Sequence, residues 1–146
     1  MIDIEAFENC LFNDDTQDPV MKEKLEQFRA IFKDHDVFLQ RWEWGWKFYI
    51  FIHNKGQVHL NLPFDQPHGA VISDLVVERH SRGRGWGRRL VDVAEQLAIL
   101  LEAETLGLWA DPDDWPIVWY QRLGFLRQYT PGYHDDFLIK KVTLQK

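Results

Sequence analysis

Apolar positions recur every three to four residues over Asp18–Phe32, in DPVMKEKLEQFRAIF. This spacing places Val20, Leu25, Phe28, Ile31 and Phe32 near one helical face, with lysine and glutamate opposite. Asp18 followed by Pro19 supplies an N-cap and a first-turn residue. From Val37 the period shortens towards two. KFYIFIHN, then Lys55-Gly56, then QVHLNLPF predict an aromatic and β-branched hairpin with Lys-Gly at its turn. DQPHG, from Asp65 to Gly69, predicts the next turn, and AVISDLVVER a third strand.

Helical spacing returns in GRRLVDVAEQLAILLEA, where Leu90, Val91, Val93, Ala94, Leu97, Ala98, Leu100 and Leu101 mark a buried helix. LGLWA follows as a short strand, and DDWPIVWYQRLGF as a helix ended by Gly124. FLRQY, a Pro131-Gly132 turn and DFLIKKVTL close the chain as a β pair. The predicted order is helix, three strands, helix, strand, helix, two strands. A strand-helix-strand unit within it predicts a parallel pair between ISDLVV and LGLWA. The fold class is a mixed α/β (α+β) domain. With no internal repeat, the expectation is one domain over residues 1–146, with 1–40 as an N-terminal helical region.

Charge changes this picture little. The net charge is −6, and residues 1–40 carry the excess; the remainder balances. An acidic surface attracts amines or basic peptides and repels nucleic acid. No run approaches the roughly 18 apolar residues of a membrane span, and MIDIEAFENCLF lacks the basic start of a signal peptide. Cys10 is the only cysteine, which excludes an internal disulfide and a cysteine-based metal cluster. His and carboxylate spacing suggests no metal site. A cytoplasmic protein is expected.

The candidate chemistry lies in Arg79–Leu90, RHSRGRGWGRRL, between the third strand and the second helix. A strand that runs through glycines into a helix is suited to phosphate: the first turn leaves about four amides unpaired, and glycine lets the backbone approach an anion. A Walker loop is excluded because no Lys-Ser or Lys-Thr follows. A dinucleotide loop is out of register at Arg88. An arginine-glycine RNA-binding tail would not sit between two apolar, patterned elements. Arg82-Gly83-Arg84-Gly85-Trp86-Gly87 and, further on, the WYQRLGF run of Trp119, Tyr120, Gly124 and Phe125 resemble the GNAT N-acetyltransferase superfamily, over roughly Phe48 to Leu144. Two positions depart from the family habit. Asp113 stands where an Asn is frequent seven residues before the tyrosine, and Pro116 where an Ala is frequent.

The resemblance implies a splayed parallel strand pair with flanking helices, and acetyl-CoA as cosubstrate. It assigns the backbone of Leu75, Val76 and Val77 to the pantetheine arm, and Gly83, Arg84, Gly85, Trp86, Gly87 and Arg88 to the pyrophosphate by their amides. The guanidiniums of Arg82 and Arg84 are expected on phosphate, with the 3′-phosphate included, and Asp113 keeps a capping role at the cofactor side. A strand amide near Val77 would face the oxyanion, and Tyr120 would protonate the leaving thiolate. The general base is left open among Asp74, Glu78, Glu43, His53, Asp111 and water. The acceptor is an amine of a small molecule or a protein, and a homodimer is left open. Trp42, Trp44 and Trp46 would share one strand face, lining either an acceptor pocket or the core. His134-Asp135-Asp136 would form an acidic edge or a solvated turn. An inactive coenzyme A-binding regulatory or inhibitory domain is the alternative function.

Overall fold

The computed structural model describes residues 18–66, 68–112, 116–128 and 131–142. Helix α1 spans Pro19–Ile31, and the Asp18 carboxylate caps it by accepting from the amides of Val20 (2.9 Å) and Met21 (3.2 Å). Its buried side is narrower than the spacing predicts: Leu25 and Phe28 are in the core, whereas Val20 and Ile31 are 61% and 65% exposed. The two outliers flank the buried pair at opposite ends of the helix, where the stripe has already rotated towards solvent.

Four strands follow, not three. β1 (Asp36–Trp42) pairs antiparallel with β2 (Gly45–Ile52), and the chain turns at Glu43-Trp44 inside the run expected to be a single strand. Trp42 ends β1 and Trp44 sits in the turn, both exposed, so the three tryptophans do not share a face. Trp46 alone packs inward. Its ring meets Phe64 edge-on at 6.1 Å under the Arg41 guanidinium. Gly45 permits this hairpin because a Cβ there would collide with the Leu62 carbonyl of the next strand.

β3 (Gly56–Pro63) completes the second hairpin. Its left-handed residue is Asn54, with φ 60°, and not Gly56. Gly56 answers a different need, since a side chain there would strike the Val76 carbonyl of β4 (Gly69–Val77). After β4 come a short 3₁₀ turn (Arg79–Ser81), α2 (Trp86–Leu100), β5 (Thr105–Ala110), α3 (Pro116–Arg122), β6 (Leu126–Gln128) and β7 (Asp136–Lys141). The sheet order is β1-β2-β3-β4-β5-β7-β6. Only β4 and β5 run parallel, so the fold is the mixed sheet with a parallel pair and flanking helices that the sequence predicts.

Alternation along the strands gives the sheet two different faces. Val37, Leu39, Phe48, Ile50, Val58, Leu60 and Ile72 bury themselves together with Leu90, Val93, Ala94 and Leu97 of α2 and with Leu25 and Phe28 of α1. The opposite face carries Lys47, Tyr49, His59, Asn61 and Ser73. α2 stops at Leu100, earlier than the apolar run suggests. Ala103 N–H bonds the Ala98 carbonyl and Glu102 N–H that of Ile99, with Glu102 left-handed at φ 64°.

Candidate active site

The parallel pair is short. Gly69, Ala70 and Val71 register with Thr105, Leu106 and Gly107, and beyond them β4 and β5 have no paired residues. β4 leaves its neighbour through an irregularity. Between Gln57↔Val76 and His59↔Ser73, one residue of β3 opposes two of β4, Asp74 and Leu75. Asp74 adopts φ 52°, a left-handed backbone that aspartate, with its short polar side chain, enters more readily than most non-glycine residues.

The freed end of β4 borders a cleft of about 580 Å³. Leu75, Val76 and Val77 form one wall, the Arg82–Arg88 loop a second, and Pro116, Trp119 and Tyr120 of α3 a third. Glu78 N–H bonds the Lys55 carbonyl across the β3 side, so strand alternation turns the Val77 amide the other way, into the gap. The Val77 carbonyl accepts from Arg82 Nε at 3.1 Å, which ties the loop back to the strand and commits one edge of that guanidinium.

Gly83 and Gly85 have φ 77° and 84°, and Gly85 is the N-cap of α2. A Cβ at either position would meet nothing within 4 Å, so glycine is required there by backbone conformation and not by crowding. The open space above them is what a phosphate cradle at a helix N-terminus needs. Gly87 differs. It lies in the first turn of α2, and a Cβ there would sit 3.4 Å from the Trp119 ring. Trp86 is half-buried beneath Lys55, whose ammonium lies 5.3 Å from the ring. α2 begins two residues earlier than its arginine-rich start suggests.

The cleft thus gathers Leu75, Val76, Val77, Arg82, Gly83, Gly85, Trp86, Gly87, Arg88 and Tyr120 from the sequence-predicted set. Arg84 is exposed and does not line it, and Asp113 lies outside the described residues. Trp119, of the WYQRLGF run, packs against the core and also forms part of the cleft wall. Tyr120 packs edge-on against Trp119 at 4.9 Å and Phe125 at 5.8 Å. Burial raises its hydroxyl pKa, which keeps the phenol protonated.

The base candidates scatter. Glu43 is in the β1–β2 turn, His53 in the β2–β3 turn, and Glu78 is exposed at the end of β4. Asp111 follows β5, with His134 Nε2 3.5 Å from its Oδ1. Asp111, His134 and Asp135 bring donor atoms within 4.8 Å of one another, a grouping hidden from the sequence because it joins two segments. Asp136, grouped with His134 and Asp135 in sequence, instead turns inward and pairs with Arg127. Asp74 stands apart from the other candidates. Its Oδ2 lies 3.0 Å from Nδ1 of buried His59 and 3.8 Å from Lys47 Nζ. Burial, with Lys47 nearby, lowers the His59 pKa against the opposing pull of Asp74, so the imidazole is neutral.

Comparison with known proteins agrees with this geometry. The model of the acetyltransferase (GNAT) domain matches residues 45–127, more than half of the chain. No curated protein matches the sequence. Among solved structures, the PaiA N-acetyltransferase of Thermoplasma acidophilum in complex with coenzyme A aligns with a TM-score of 0.55 at 18% identity, over 82% of this chain and 70% of that one. An acetyltransferase from Thermus thermophilus aligns at 0.53 and 20% identity, over 65% and 62% of the two chains. N-acetylglutamate synthase from Neisseria gonorrhoeae, complexed with coenzyme A and L-arginine, aligns at 0.54 and 15%, over 66% of this chain and 24% of that one. At these identities the structures speak for the fold, and the family model for the membership. The chain belongs to the GNAT acetyltransferase family.

Proposed function

We propose that the protein is an acetyl-CoA-dependent N-acetyltransferase, which transfers acetyl to a primary amine of a small molecule or protein by direct attack on the thioester. The observation that carries this reading is the convergence in one cleft of three features: a β4 end freed from β5, a left-handed glycine loop at a helix N-terminus, and a protonated tyrosine. Acetyl-CoA, as substrate, supplies an activated acyl group. Leu75, Val76 and Val77 offer strand backbone to its amide-bearing arm, as an added strand would pair. The amides from Gly83 to Arg88 take the pyrophosphate, and Arg82 and Arg84 add charge for the phosphates. The Val77 amide faces the developing oxyanion, and the Tyr120 hydroxyl donates its proton to the departing sulfur. One domain over residues 1–146 and a cytoplasmic setting are part of the same reading. Among the described residues, no helix is long and apolar enough to cross a membrane.

Calorimetric titration with acetyl-CoA, and separately with a single-stranded RNA, tests the donor half of the proposal. Saturable binding of acetyl-CoA at one site, with none of RNA, is expected. RNA binding without acetyl-CoA binding would contradict it.

A further inference from the structure

We propose that Lys55, on the turn between β2 and β3, is a recognition residue for the phosphates of the acyl donor, with Trp86 holding its ammonium beside the glycine loop. The inference rests on the donor half of the transferase reading and deepens it: the phosphates gain a cation from outside the loop, supplied by a distant part of the chain.

The turn is fastened to the loop through its backbone. The Lys55 carbonyl accepts from Glu78 N–H at 2.7 Å, where β4 gives way to the 3₁₀ turn. One residue earlier, the Asn54 carbonyl accepts from the Ser81 hydroxyl at 3.2 Å, and Ser81 is buried. Gly56, next after Lys55, is hemmed in by the Val76 carbonyl and by Leu90 of α2. Turn, strand end and helix start therefore form one braced unit. The place of Lys55 relative to the loop is set by main chain, before its side chain makes any contact.

The side chain then rests on an aromatic face. Its ammonium lies 5.3 Å from the centre of the Trp86 ring, and Trp86 is both the first residue of α2 and part of the cleft wall. Lys55 itself does not line the cleft, so its charge acts on the phosphates through space. Trp86 is the positioning residue in this arrangement. It keeps the ammonium at the mouth of the site without cancelling its charge, as a carboxylate would.

The surrounding charges point the same way. Among the described residues, no carboxylate comes within ion-pair distance of Lys55, Arg82, Arg84, Arg88 or Arg89. The first turn of α2 has no acidic residue, although a helix N-terminus favours one. In a chain of net charge −6, these cations stand together against the positive end of a helix. They repel one another in the free protein, and a ligand with several phosphates relieves that repulsion on binding. Lys55 is the member of the group that the local loop motif does not supply.

Lys55→Met tests this, because it keeps the side-chain stem and removes only the charge. Coenzyme A and adenosine 3′,5′-bisphosphate serve as probes, by calorimetry. Affinity for both should fall at least about threefold at low salt, and the deficit should shrink at about 0.5 M salt, where charges are screened. Lys55→Arg should keep most of the affinity. The Tm of free Lys55→Met protein should not fall, since a repulsion leaves with the charge. Lys55→Met should cost as much in a Trp86→Phe background, which retains a ring face, and little in Trp86→Leu, where the ammonium is no longer held. Equal coenzyme A affinity in Lys55→Met and wild type would overturn the proposal. So would a deficit that salt leaves unaltered, or one as large in Trp86→Leu as with the ring present. If Trp86→Leu does not fold, the salt dependence and the arginine variant decide. Wild type that binds neither probe would overturn the donor reading and this proposal together. Binding without acetyl transfer to any amine would count against the transferase reading alone, and the lysine comparison would still decide.

Discussion

Tyr120 occupies its position through two ring contacts and keeps its proton through burial. Tyr120→Phe retains the rings against Trp119 and Phe125 and removes only the hydroxyl. A general acid is typically worth about 10²–10⁴-fold, and water replaces part of it, so single-turnover transfer should slow at least about tenfold. Acetyl-CoA affinity and Tm should not change. Equal transfer would make the residue a packing tyrosine. At this scale the sequence was legible where a residue's place follows from its register in a local motif, as for Tyr120 and Gly85 in the cleft lining. It was silent where the role depends on distant chain. A tryptophan beside Tyr120 has every reason to be core, and only its approach to Gly87 makes Trp119 a cleft wall. His59 and Asp74 stand fifteen residues apart and meet only across two strands.

The loop-to-helix element separates two uses of glycine. Gly85 is left-handed with free space around it, so Gly85→Ala should destabilise the fold by about 1–2 kcal/mol although the methyl touches nothing. Gly87 is helical, and Gly87→Ala should gain up to about 1 kcal/mol of helix propensity while crowding Trp119 and weakening acetyl-CoA binding. Urea denaturation and calorimetry of both variants read these opposite signs; a stabilised Gly85→Ala would contradict the left-handed cradle. Helices and hairpins were legible because capping residues and periodicity are local. The β1–β2 hairpin was not. Its turn uses Glu43 and Trp44, neither a turn-forming type, and Gly45 is there for the close approach of Leu62. The β6–β7 pairing was equally local, but nothing local says that β7, and not β6, lies against β5.

Across the whole molecule, two buried histidines set the acid limit. Desolvation lowers the pKa of both His35, which also feels Arg89, and His59. The unfolded chain then binds protons that the folded chain refuses, starting near the ordinary histidine pKa of about 6.5. Stability should be full above that pH and fall below it, by at most about 1.4 kcal/mol per pH unit for each histidine. Both His35 ring nitrogens lack partners among the described residues. His35→Leu should therefore flatten the decline, by at most one proton's slope, as denaturation at pH 7.5 and 5.5 would show; an unaltered slope would place the acid sensitivity elsewhere. In the proposed reaction, transfer at this scale depends on the sheet being open between β4 and β5, where the cleft would admit acetyl-CoA and the amine would meet it. Mixing protein preloaded with one equivalent of acetyl-CoA with the amine panel, and following free thiol and acetylated amine together, tests that most directly. The account predicts one thiol released for each amine acetylated, in a single kinetic phase. Tight acetyl-CoA binding with thiol released no faster than in the absence of amine would contradict it.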